Sequence, residues 1–150
     1  FLFGPRGTGK TSWVTNYFPE ALYIDLLKTS DYTTLQADPS RLEKMVLSNK
    51  DNDWVIIDEV QKVPQLLDEV HRLIEKHNKY FILTGSSARK LKREGVNLLA
   101  GRALTYKMHP LTIIELGDSF NLETALTLGM LPLVYVDESP GHFLETYVLT

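Results

Sequence analysis

Short apolar runs alternate along this chain with stretches whose apolar residues recur every three or four positions. The first pattern marks buried strands and the second marks amphipathic helices. Phe1-Leu2-Phe3 reads as the end of a buried strand, residues 10–18 as a short helix closed by Pro19, and ALYIDLL (21–27) as a second strand. DPSRLEKMVLS predicts a helix capped by Asp38 or Ser40, with Leu42, Met45 and Val46 on its apolar stripe and Leu47 at the margin. WVIID (54–58) is apolar on both faces, as expected for the middle of a parallel sheet covered by helices.

Leu66, Leu67, Val70, Leu73 and Ile74 then share one helical face. YFILTG (80–85) reads as a fourth strand, ARKLKRE (88–94) as a short helix and ALTYKMH (103–109) as a fifth strand of alternating character. Strands and helices in this order, joined by short connections, predict an α/β fold with a doubly wound parallel sheet. Right-handed crossovers place the C-terminal ends of all the strands on one edge, where ligands bind. Beyond Pro110 the pattern weakens: NLETALTLG predicts a helix stopped by Gly129, and residues 130–150 fit no single element.

Composition narrows the partners more than the fold. The 150 residues suit one packed unit, and 16 Lys and Arg against 19 Asp and Glu give no bulk attraction to nucleic acid or anionic membrane. With no cysteine, disulfides and thiolate metal sites are excluded, which is compatible with a reducing, cytoplasmic setting. No apolar run approaches the roughly 18 residues of a membrane span. Because the chain opens on Phe1 and its first apolar run is short, we expect a first strand truncated at its start, with the core at 1–115 and a partial helical region at 116–150.

The chemistry begins at once. Gly4-Pro5-Arg6-Gly7-Thr8-Gly9-Lys10-Thr11 matches the phosphate-loop pattern G-x-x-x-x-G-K-[ST] in full, behind an apolar strand and ahead of a helix. Gly4, Gly7 and Gly9 let the backbone wrap close to a phosphate. Its N–H groups, with the hydroxyls of Thr8 and Ser12, then face the anion at a helix N-terminus. Lys10 is placed to reach the β- and γ-phosphates and Thr11 to offer its hydroxyl to Mg²⁺. The competing reading, a glycine-rich turn with a solvated lysine, does not account for the flanking strand and helix.

Whether a bound nucleotide is hydrolysed turns on WVIIDEVQ. Asp58 ends an apolar strand, where a carboxylate is costly unless a cation or hydrogen bonds satisfy it, and Mg²⁺ would do so. Glu59 follows at the strand end, placed to activate an attacking water. Capping of the next helix is the plainer alternative for both acids. NKDN (49–52) begins like a guanine-specificity motif but carries Asn52 where a carboxylate is needed, which favours ATP over GTP.

Thr84, Ser86 and Ser87 end the fourth strand; Ser86 is the candidate γ-phosphate sensor, with helix capping as the alternative. Arg89, Lys90, Lys92 and Arg93 form a basic cluster that is a solvated helix face or a contact for nucleic acid or for a partner's acidic surface. Arg102 either serves as an arginine finger on a neighbouring subunit, senses nucleotide in cis, or forms a surface ion pair. His71, His77 and His109 have no partner at metal-ligand spacing.

Together, FLFGPRGTGKT, WVIIDEVQKVPQLLDEVHRLIE, ILTGSSARKLKREGVNLLAGRA and MHPLTIIEL resemble the prokaryotic AAA+-type ATPases in which an AAA_14 domain precedes a DUF4143 domain. The resemblance covers nearly the whole chain. It implies a P-loop NTPase of the ASCE, AAA+-like class with strand order 5-1-4-3-2, and ATP hydrolysis. It also implies that GHFLETYVLT leads towards a C-terminal domain of the same protein. The expected partners are ATP, that domain, and a second copy or another protein; DNA rests on the basic cluster alone, and no membrane partner is expected.

Overall fold

The structure is a computed structural model that describes residues 1–49, 53–87, 91, 99, 103–137 and 140–148. The chain divides into two compact units, one of Phe1–Gly4 with Lys10–Lys107 and the other of Pro5–Gly9 with Met108–Thr150.

The first unit is built on a five-stranded sheet. In chain order it contains β1 (Leu2–Phe3), α1 (Lys10–Tyr17), β2 (Leu22–Asp25), α2 (Thr29–Ala37), α3 (Arg41–Ser48) and β3 (Trp54–Asp58). A 3₁₀ turn (Val60–Lys62), α4 (Leu66–His77), β4 (Tyr80–Gly85) and β5 (Tyr106–Lys107) follow. The strand order is β2-β3-β4-β1-β5, with every neighbouring pair parallel. This is the expected order, 5-1-4-3-2, read from the other edge.

Burial explains which strands are central. Val55, Ile56, Ile57 and Asp58 of β3 are all buried, so both faces of that strand are covered. Its register sets Ile56 beside Tyr23, Asp58 beside Asp25 and Ile57 beside Leu83. The apolar stripe of α4 packs into this core, with Leu66, Leu67, Val70 and Leu73 buried and Ile74 partly so. Removing the side chain of a residue such as Leu73 beyond Cβ would cost about 2–5 kcal/mol, the sum of lost transfer energy and a cavity. Although β1 has two residues, backbone bonds hold it on both sides, Gly4 N–H to Gly85 O at 3.2 Å and Tyr106 N–H to Phe1 O at 2.9 Å.

Several local expectations change. Helix α2 has no apolar period, since only Leu35 of its nine residues is buried, and it therefore left no helical signature. Ser40 precedes α3 without capping it through its side chain; Asp38 instead accepts from the Ser40 backbone N–H at 3.1 Å and its hydroxyl at 2.6 Å, forming a turn. Leu47 is exposed. The fifth strand shrinks to Tyr106–Lys107, an exposed edge. Of the expected helix at 88–94 only Leu91 is described, buried in the core.

The second unit is helical: α5 (Ile113–Leu116), a 3₁₀ turn (Gly117–Ser119), α6 (Leu122–Leu128), α7 (Pro132–Val136) and α8 (Pro140–Val148). A reciprocal capping box between Thr112 and Glu115 starts α5, and the Asn121 side-chain Oδ1 accepts from Thr124 N–H to start α6. Gly129, at φ +79°, ends α6 as expected. Among the described residues, the stretch that fitted no single element includes the helices Pro132–Val136 and Pro140–Val148, and Pro132 stands in the first turn of its helix, where the missing N–H costs nothing. Within this unit the Tyr147 hydroxyl donates to the carbonyl of Arg6 at 3.2 Å.

Candidate functional site

The β1–α1 connection supplies the first part of the site. Gly4 follows β1 and Lys10 opens α1. The Lys10 ammonium reaches back to donate to the Gly4 carbonyl at 2.8 Å, which ties the two ends of the loop together. Lys10 is only 6% exposed, so this bond is part of what offsets the cost of burying an ammonium. Inside the loop Gly7 (φ +75°) and Gly9 (φ +85°) take the left-handed backbone that the motif requires of glycine. A side chain at Gly9 would meet no atom within 4 Å, so conformation rather than space demands glycine there. The Thr8 hydroxyl donates to the Pro5 carbonyl at 2.9 Å, and Ser12 is exposed on the first turn of α1.

The second part comes from the end of β3. Asp58 is 3% exposed, and three hydroxyls hold its carboxylate. Thr11 and Tyr23 each donate to Oδ2 at 2.7 Å, and Thr84 donates to Oδ1. These come from α1, β2 and β4, so one carboxylate gathers the phosphate-loop helix and both neighbouring strands. Thr84, fully buried, also accepts the Glu59 backbone N–H at 3.2 Å. Burial, reinforced by the adjacent Asp58 carboxylate, pushes the Tyr23 phenol above its usual range and keeps it a neutral donor.

Glu59 turns the chain out of the sheet in a left-handed conformation, φ 60° and ψ 43°. The turn brings back Gln61, whose side-chain amide donates to Glu59 Oε2 and lies 3.4 Å from Ser86 Oγ. Gln61 is buried, and its Oε1 has no protein hydrogen-bond donor among the described residues. An unsatisfied buried acceptor costs roughly 1–3 kcal/mol.

Lys10, Thr11, Asp58, Glu59 and Ser86 therefore join through consecutive residues and hydrogen bonds into one cluster, with the ends of the phosphate loop closed beside it. Arg102 and the basic cluster of Arg89, Lys90, Lys92 and Arg93 lie outside the described residues. Tyr23 and Gln61 are additions. An aromatic residue in LYID reads as core filling, and a glutamine after an acidic pair reads as surface; only strand register and the tight turn bring their polar ends to the carboxylates. No group of three or more His, Asp or Glu side chains able to hold a metal ion by themselves occurs among the described residues. No helix of the described residues is long and apolar enough to cross a membrane.

A five-stranded parallel sheet in this order, with a phosphate loop after β1 and an acid at the end of β3, defines a P-loop nucleoside-triphosphatase fold. The sequence matches the AAA_14 family, an AAA domain, over residues 1–117, and the chain belongs to that family. It is thus a nucleotide-binding, ATPase-like module. No curated protein matches the chain.

Proposed function

We propose that this chain binds ATP with Mg²⁺ and hydrolyses it. The observation that carries the reading is the 2.7 Å contact between the Thr11 hydroxyl and Asp58 Oδ2, which joins the phosphate-loop motif to the acidic strand end. The backbone and side chains of Gly4, Gly7, Thr8, Gly9, Lys10, Thr11 and Ser12 hold the triphosphate. Lys10 neutralises charge on its terminal phosphates. Thr11 and Asp58 are hard oxygen donors of the kind Mg²⁺ prefers, and phosphate oxygens and water complete such a shell. When bound, the ion screens the phosphate charge during transfer to water.

Glu59 takes the proton of the attacking water, and Ser86 senses the γ-phosphate. Arg102 supplies positive charge to the transition state, from this chain or from a second copy. On this reading residues 1–115 are the ATPase core of a larger cytoplasmic protein, and residues 116–150 connect it to a further domain whose client is another protein or DNA. Glu59→Gln should leave ATP binding intact and lower turnover by about 10²–10⁴-fold. Single-turnover phosphate release from the purified full-length protein, with ATP and GTP in parallel, provides the measurement. Unchanged turnover in that variant would reject Glu59 as the activating base, and ATP binding without phosphate release would make the chain a nucleotide-gated interaction module.

A further inference from the structure

We infer that Gln61 is a positioning residue for Glu59, its carboxamide held against Gly85 so that one carboxylate oxygen of Glu59 is anchored and the other left to the water. The inference rests on the ATPase reading above. Three observations carry it. Gln61 is 6% exposed, although glutamine side chains are mostly found in solvent. Its Nε2 donates to Glu59 Oε2 and lies 3.4 Å from Ser86 Oγ, so one amide touches both the base and the candidate sensor. Its Oε1 is buried with no protein donor among the described residues, a cost a merely space-filling side chain would not carry.

Gly85 supplies the room. It is a strand residue with no left-handed backbone to explain a glycine, yet a Cβ there would lie 2.3 Å from Gln61 Oε1. The space that a side chain would fill is taken by the carboxamide. Turning the amide over would set its oxygen against the Glu59 carboxylate, two acceptors face to face, so Glu59 fixes its orientation. A carboxylate fixed at one oxygen loses rotational freedom, and the other oxygen is presented in a narrow range of directions. Restricting a base in this way speeds proton abstraction without strengthening substrate binding.

Two independent substitutions remove the anchor. Gln61→Met keeps the length of the side chain and loses the donor. Gly85→Ala removes no polar side chain but displaces the Gln61 amide, the flexible end of a side chain, rather than the backbone. In the purified full-length protein each should lower kcat about tenfold, with KM and Mg-ATP affinity within about twofold of the unsubstituted protein. The double variant should be no slower than the slower single one, because both act on one contact. Thermal midpoints measured alongside separate this from a structural lesion, which would move KM and affinity with kcat. Unchanged kcat in a folded Gln61→Met or Gly85→Ala protein, or losses that multiply in the double variant, would overturn the inference while Glu59-dependent turnover persists. Absence of Glu59-dependent turnover in the unsubstituted protein would instead remove the ATPase reading and this inference together.

Discussion

Asp58 and Glu43 are two carboxylates of the same unit with opposite surroundings. Glu43 projects from α3 and meets basic side chains: Arg72 binds it bidentately at 3.0 Å through both terminal nitrogens, Lys76 lies at 3.5 Å, and the His77 ring Nε2 lies at 3.3 Å. Asp58 is buried, and among the described residues its carboxylate accepts from three hydroxyls, those of Thr11, Tyr23 and Thr84. A cation cancels charge; a hydroxyl donates a hydrogen bond and leaves the charge uncancelled. Glu43 is therefore complete as it stands, a clamp between α3 and α4. The carboxylate of Asp58 is oriented by neutral groups and suited to a cation brought from outside. The same residue chemistry has different surroundings in the two places, and on the function proposed above only Asp58 serves the nucleotide.

Asp58→Asn offers the strongest way to break the comparison. It keeps the size of the side chain and a carbonyl acceptor but loses the charge, so Mg²⁺-dependent turnover should fall by more than about 100-fold, while circular dichroism stays that of a folded protein. Retention of turnover at ordinary Mg²⁺ would place Asp58 with Glu43 as a structural acid. Tyr23→Phe comes next in size. Loss of one donor to a buried carboxylate should lower stability by roughly 1–3 kcal/mol in urea unfolding of the nucleotide-free protein. Saturating Mg-ATP should narrow the difference, since the ion then contributes interactions at the same carboxylate.

Glu43→Gln should have the smallest effect and the most distinct pH signature. Hydrogen bonds from Arg72, helped by His77, hold the Glu43 carboxyl at about 2, below its ordinary 4.5. A depressed folded value means that its contribution to stability is in force above pH 4.5 and lost as the pH falls towards about 2. Urea midpoints taken across that window should fall less steeply in Glu43→Gln than in the unsubstituted protein, with ATP turnover at neutral pH unaltered. A loss of turnover would show that the α3–α4 clamp and the nucleotide edge are energetically coupled.

Much of this arrangement was legible before any coordinates. The phosphate loop is local: its glycines, lysine and threonine are contiguous, so their spacing carries the chemistry. The strand WVIID is equally plain as an apolar run, whereas the acids that end it leave helix capping open as an alternative in the sequence alone. Gly129 stopped its helix as read, because a glycine just after an apolar-periodic stretch is a local signal. Helix α2 has no signature in the sequence because it buries Leu35 and part of Tyr32 and leaves most of its other residues near solvent, too few apolar positions to make a stripe. The helix Pro132–Val136 has no signature in the sequence because five nearly all apolar residues are too few to show a period.

By itself, the sequence determined the class of element at each strong run, the phosphate-loop motif and the acids that close β3, since these depend on residue type and on spacing within a few positions. The partnerships at the site were decided only by the tertiary structure. Tyr23 meets Asp58 because β2 lies beside β3 in one register, Thr84 because β4 lies on the other side, and Gln61 meets Glu59 because the chain turns left-handed between strand and 3₁₀ turn. Hydrogen bonds reach about 3 Å and demand direction, and residues dozens of positions apart attain that closeness only when the sheet sets their strands side by side.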